Sequence, residues 1–238
     1  MAEFESTKLH IIYGGAFDPP HSGHVESARH ILKSYPDAHL VIMPGVRPAV
    51  VSGRHKIPVA SFESRIEMCR LAFLSLAPSR VSISELESKL EQPVYTYKTL
   101  LHLKQKYPDT KLALLIGQDQ LQNFPNWFRP NEILELASLL VVRRRVFAGS
   151  SDTKLAADAE KAGVILQLEL LWSKQKQSAQ IVGLGSKLDL IDIELPTAES
   201  HLIRDAIALG ESIDASWLPD EIKAYISSEK LYRQPPEI

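Results

Sequence analysis

Residues Tyr13 to His24, reading Tyr-Gly-Gly-Ala-Phe-Asp-Pro-Pro-His-Ser-Gly-His, constrain the fold more than any other stretch of this chain. Before them Leu9-His10-Ile11-Ile12-Tyr13 is a short apolar run that predicts a buried strand. After them Val25, Ala28, Ile31 and Leu32 recur at helical spacing. Two glycines, a Pro-Pro pair and two histidines therefore occupy a strand-to-helix turn. Parallel α/β sheets bind their ligands at such turns, at the carboxyl end of a strand beside a helix N-terminus. Gly14 and Gly15 let the backbone approach an anion closely and offer it N–H groups. His21 and His24, three residues apart with a glycine between them, can face one phosphate from the first helical turn. The same pair could serve zinc, but a zinc site needs a third protein ligand, and the only cysteine, Cys69, lies far along the chain in an apolar helix.

Further along, His39 to Met43 predicts a second strand, stopped by Pro44-Gly45. Residues 44–58 hold three prolines, two glycines and the basic side chains Arg47, Arg54, His55 and Lys56, the composition of a mobile loop. Phe62 to Leu76 is helical by periodicity, and a solvent-facing place is the commoner explanation for Arg65 within it, a functional one the alternative. A short strand at Arg80–Ser84 precedes a helix opened by Val94–Leu100, with Thr96 as its N-cap. Lys111 to Ile116 is continuously apolar, as a central parallel strand should be, and runs into Gly117-Gln118-Asp119. Asp119 is placed either to accept a ribose hydroxyl or to cap a helix, and Trp127 either to stack on a ligand or to fill the core. A helix at 133–137 and a strand at 138–142 lead to Arg143-Arg144-Arg145. Beyond, a helix is expected at 152–162 and a strand at 164–171. Residues 172–186 read as a polar insertion, and Pro196 with small polar neighbours opens a last helix carrying Ser200 and Arg204.

Composition narrows the function classes. The 238 residues are 45% hydrophobic and 24% charged, which describes a globular chain with ample core material. A formal net charge of -2 gives no global basic field for nucleic acid. No run approaches the ~18 apolar residues of a membrane span. Met1 to Lys8 is polar and acidic, without the pattern of a secretory signal, and one cysteine excludes an intramolecular disulfide, so a cytoplasmic protein is expected.

The run Gly-Gly-x-Phe-Asp-Pro-x-His-x-Gly-His resembles the signature of the His-x-Gly-His nucleotidyltransferases, in the form seen in bacterial nicotinate mononucleotide adenylyltransferases. Further motifs are similar: His55-Lys56 closing the proline-rich loop, Tyr95-Thr96 with Thr99-Leu100, Gly117-x-Asp119-x-Leu121 followed by Phe124 and Trp127, Arg144, and Ser200 with Ile203-Arg204. The resemblance implies an α/β fold with a doubly wound parallel sheet, Rossmann-like, in one domain spanning 1–238. The sheet core would occupy about 8–195 and C-terminal helices about 196–232. It implies transfer of AMP from ATP to nicotinate mononucleotide, with ATP and a pyridine mononucleotide as the partners and Mg²⁺ held between phosphates. His21, His24, Lys56 and Arg204 would be catalytic. Gly14, Gly15, Phe17, Gly117, Asp119 and Ser200 would join the two histidines and Arg204 around ATP. Asp18, His55, Tyr95, Thr96, Trp127 and Arg144 would meet the acceptor. The chain departs from the family pattern at Lys98, where an aspartate is usual, and at Ala198, Glu199 and His201. Two rival readings follow: a related transferase with another acceptor, such as nicotinamide mononucleotide or phosphopantetheine, and a nucleotide-binding module that has lost catalysis.

Overall fold

A strand covered on both faces needs apolar side chains at successive positions, and Leu112 to Ile116 supply them without interruption. In the computed structural model, which describes residues 8–46, 57–145, 153–167, 169–173, 178–196 and 198–233, this strand lies inside an eight-stranded sheet. The strands are β1 (Leu9–Gly15), β2 (Ala38–Pro44), β3 (Val81–Ile83), β4 (Lys111–Gly117), β5 (Ala137–Arg145), β6 (Leu170–Trp172), β7 (Ser178–Ile181) and β8 (Lys187–Glu194). Their spatial order is β3-β2-β1-β4-β5-β8-β7-β6. Strands β1 to β5 and β8 pair in parallel, and the order reverses between β1 and β4, the switch point of a doubly wound sheet.

Alternation along each strand divides the core. Ile11, Leu40, Ala113 and Leu115 face one layer, built with α1 (Ser22–Ser34) and α2 (Phe62–Phe73). Ile12, Val41, Leu114 and Ile116 face the other. That second layer is covered by α4 (Thr96–Lys106), which follows the short α3 (Leu86–Lys89), and by α5 (Gln118–Asn123), α6 (Pro130–Leu136) and α7 (Thr153–Ile165). The last helices, α8 (Ser200–Leu209) and α9 (Asp220–Ser228), place Ile203, Ile222 and Ile226 in the first layer, so the C-terminal part shares the main core.

The doubly wound parallel sheet carries an antiparallel extension at one edge. The region read as a polar insertion contributes β7 and leads into β8, and both β6–β7 and β7–β8 are antiparallel. The connections there are short, and a short connection can join only antiparallel neighbours. The strand expected at 164–171 is displaced because α7 runs on to Ile165, leaving Val164 77% exposed. Tyr35, just after α1, donates a 2.9 Å hydrogen bond to Asp189, tying β8 to the opposite end of the molecule's first helix.

His10 on β1 is fully buried, edge-on to the rings of His39 and Tyr107. Burial first, and then the charge of His39, hold its pKa down at about 4 against an ordinary 6.5. The unfolded chain therefore takes up that proton first as pH falls, and stability is lost between pH 6.5 and 4. The full loss is about 3 kcal/mol. Denaturant midpoints measured across this range should drop more steeply in the wild type than in His10→Leu; parallel pH profiles would show that His10 titrates normally.

Candidate active site

The site is assembled from turns at one edge of the sheet, where β1, β2 and β4 end side by side. Gly15 pairs with Pro44, and Tyr13 with Leu115, in the parallel register. At the first of these turns Phe17 adopts a positive φ of 48° and buries its ring against Tyr13, His24 and Phe73. A side chain on Gly15 would begin 3.1 Å from that ring, whereas among the described residues nothing beyond its chain neighbours lies within 4 Å of the same point on Gly14. A larger residue at Gly15 would thus press on the Phe17 ring, and Gly14 keeps the backbone open to a ligand.

Both histidines cap α1. His21 is the N-cap residue, and its Nδ1 accepts from the N–H of Gly23 at 3.1 Å. His24 Nδ1 accepts from the N–H of His21 at 3.2 Å. An imidazole nitrogen that accepts cannot carry the proton, so in this arrangement Nε2 is the protonated donor on each ring. The ring centroids lie 3.8 Å apart. Two imidazole rings tilted by 34° to each other at a helix N-terminus form a place for an anion.

Asp18 behaves differently from its sequence neighbours. Its carboxylate is buried and accepts from the N–H of Val59 at 2.7 Å, the N–H of Ala60 at 3.1 Å and the hydroxyl of Tyr232 at 2.8 Å. Arg204 lies 3.8 Å from it and donates to the Asp18 carbonyl at 2.6 Å, while the Ser200 hydroxyl donates to the carbonyl of Pro19 at 2.9 Å. The two residues expected at phosphates, Ser200 and Arg204, are therefore brought directly onto the histidine turn. Asp18, expected at the acceptor, holds the turn, the start of α2 and the C-terminal segment together. Burial, followed by the Asp18 charge, pushes the Tyr232 hydroxyl pKa far above its ordinary value. Glu199 and His201 pair with each other at 3.2 Å on the surface, 55% and 53% exposed.

Arg65, expected in solvent, is 1% exposed. It donates at 2.7 Å to the carbonyls of Ala16 and Gly45, joining the turn after β1 to the turn after β2. Its place among Ile66, Met68 and Cys69 on the apolar face of α2 was the available signal.

On the other side of the switch point, α4 begins at Thr96, but its N-cap is Tyr95 rather than Thr96, and no side chain caps it. Its first N–H groups are thus left for a ligand or solvent. Tyr95 stacks on Phe128 at 4.5 Å, a pairing not evident from either residue's sequence context. Lys98 folds back to the Pro93 carbonyl at 3.3 Å. Gly117 is the N-cap of α5, so Asp119 is not the capping residue; it stands exposed in the first turn, and its carboxylate lies 2.5 Å from where a side chain on Gly117 would begin. Trp127 is half-buried against Phe124, with ring centroids 5.3 Å apart. Arg144 pairs with Ile193 near the end of β5, on the backbone. His55 and Lys56 lie outside the described residues. Among the described residues no three His, Cys, Asp or Glu side chains converge as metal ligands, and no helix is long and apolar enough to cross a membrane.

Residues 12–232 match the cytidylyltransferase-like family model. A probable nicotinate-nucleotide adenylyltransferase of Legionella pneumophila (strain Lens) is 36% identical over 137 residues, 57% of this chain and 62% of that protein, so this match spans less than two thirds of the relative's length. The protein of the same name from Rhodopirellula baltica is 31% identical over 223 residues, 93% of this chain and 92% of the relative. In structure, Plasmodium falciparum nicotinic acid mononucleotide adenylyltransferase complexed with NaAD superposes with a TM-score of 0.67 at 16% identity, covering 94% of this chain and 97% of that one. The putative nicotinate-nucleotide adenylyltransferase of Vibrio parahaemolyticus gives 0.58 at 19% identity, covering 96% and 97%. At these identities the structures speak for the fold alone.

Removing a buried hydrogen-bonded carboxylate leaves several donors without a partner. Asp18→Ala should cost about 3 kcal/mol in denaturant unfolding, and Tyr232→Phe about 1–3 kcal/mol. Wild-type stability in Asp18→Ala together with a raised KM for the acceptor would instead make the carboxylate a ligand group.

Proposed function

The chain belongs to the cytidylyltransferase-like family, and on that premise we propose that it transfers AMP from ATP to nicotinate mononucleotide and releases pyrophosphate. The observation that carries this reading is the histidine-capped turn at the switch point. There two imidazole donors and a helix N-terminus stand at the end of β1, beside the crevice that leads to β4. One crevice accommodates both substrates, with ATP over the β1 turn and the acceptor over the turns that follow β3 and β4.

No covalent enzyme intermediate is needed. An oxygen of the acceptor's phosphate attacks the α-phosphorus in line, the bond from that phosphorus to the α,β-bridging oxygen breaks, and pyrophosphate leaves with the electron pair. The protein's work is to position two anions and to stabilise charge as it shifts toward the leaving group. Nε2–H of His21 and of His24 would bind the reacting phosphates. Arg204 uses one donor on the Asp18 carbonyl and has others in the same planar fork for the distal phosphates, a task Lys56 would share. Mg²⁺ would be held by the triphosphate, its usual manner of binding at such sites, and would neutralise phosphate charge. Gly117 and Asp119 are assigned to the adenylate ribose, Trp127 to the pyridine ring and Arg144 with His55 to the acceptor phosphate. The uncapped N–H groups after Tyr95 suit the nicotinate carboxylate. A single, buried cysteine accords with a cytoplasmic setting.

Pyrophosphate release from ATP should be fast with nicotinate mononucleotide and slow or absent with phosphopantetheine; the reverse order would assign the chain to another branch of the family. His24→Ala should lower kcat by a factor of about 10² or more while leaving the fold intact. Near-normal turnover in that variant would remove His24 from the reaction. An indole stacked on the acceptor ring contributes about 0.5–1.5 kcal/mol beyond its buried area. Trp127→Ala should therefore raise KM for the acceptor several-fold and leave KM for ATP nearly unchanged, and an equal effect on both would displace Trp127 from the acceptor.

A further inference from the structure

The same edge of the sheet holds an acidic side chain that no step above employs. Glu87, in α3, accepts a 3.2 Å hydrogen bond through Oε1 from the hydroxyl of Thr99, one turn inside α4. Its Oε2 lies 3.5 Å from where a side chain on Gly45 would begin, and Gly45 in turn donates at 2.9 Å to the carbonyl of Gly15. The carboxyl group is therefore set between the ends of β1 and β2 and the uncapped start of α4.

No described cation pairs with it. On its own helix, Glu85 is turned to Arg70 at 3.0 Å, and Lys89 lines a separate hollow together with His102 of α4. Lys98 of α4 is held on the Pro93 carbonyl, and Arg65 of α2 is committed to the far side of Gly45, on its carbonyl. Burial pushes the Glu87 pKa up to about 7, against the opposing pull of the Thr99 hydrogen bond. The unfolded chain loses this proton first, so the group lowers stability as pH rises from 4.5 through 7. An acid kept at such a cost beside a substrate crevice is a candidate for function.

We propose that Glu87 is a specificity-determining residue of the acceptor site: once ionised, its carboxylate opposes a carboxylate on the pyridine ring bound at the start of α4, and leaves a neutral carboxamide little affected. This rests on the adenylyl-transfer reading above. The acceptor's phosphate is common to both pyridine mononucleotides, so its own titration cancels in a ratio. The nicotinate carboxylate stays ionised throughout the neutral range.

The test is the ratio of kcat/KM for nicotinate mononucleotide to that for nicotinamide mononucleotide, followed from pH 6 to pH 8.5. In the wild type the ratio should fall about tenfold with a midpoint near 7, the effect of two like charges interacting through a partly screened medium. In Glu87→Gln it should stay flat at its low-pH level, and this variant should be at least as stable as the wild type at pH 8. Thr99→Val removes the hydrogen bond that favours the ionised form and should move the midpoint upward. A wild-type ratio independent of pH, or the same fall in Glu87→Gln, would overturn the assignment while leaving adenylyl transfer standing. Failure to turn over either pyridine mononucleotide would overturn the underlying reading and this inference with it.

Discussion

A carboxylate withdrawn from water must be met by donors, and the way Asp18 meets that demand organises the active edge of this protein. Its partners come from the start of α2, from α8 and from Tyr232, segments that share no local contact along the chain. Each donor is held where the carboxylate needs it, so the turn that carries His21 and His24 is fixed from three directions. Arg65 adds a second tie of the opposite polarity, a buried guanidinium that collects the carbonyls of the turns after β1 and β2. Together they tie a glycine- and proline-rich segment to the body of the fold from several sides.

The histidines each perform a local structural task with one ring nitrogen. Because Nδ1 of each ring is engaged by a backbone N–H, the cap of α1 also sets which nitrogen donates. Fold and electrostatics are coupled at the level of a single tautomer. An asparagine or serine could cap the helix equally well, so the choice of imidazole at both positions belongs to function.

Much of this could be read from the sequence because the signals were local. The apolar continuity of β4, the glycines of the first turn and the spacing of His21 and His24 all act within a few residues. Other features were hidden because their partners are distant. The carbonyl partners of Arg65 leave no mark on residue type, even though its place on the apolar face of α2 does, and Tyr232 meets Asp18 across 214 positions. The antiparallel edge was lost because β6 and β7 are too short to show a period. The strand from Lys187 to Glu194 is absent from the sequence reading, and its parallel place beside β5 depends on a crossover that no local pattern specifies. Threonine caps well, which favours Thr96 in the sequence, but the backbone of Tyr95 has the extended conformation that ends the preceding segment. His55 and Lys56 lie outside the described residues, so their part rests on sequence likeness alone.

The reach of the Asp18 bonds has a temporal side. During synthesis, β1 and β2 can pair as soon as both have emerged, and β4 can join them while the remainder of the chain is still being made. The carboxylate at the centre of the phosphate turn then lacks Arg204 and Tyr232, the last of which arrives only when translation has passed residue 232. A nascent chain can therefore own most of its sheet while the turn that carries His21 and His24 still lacks its ties to the C-terminal segment.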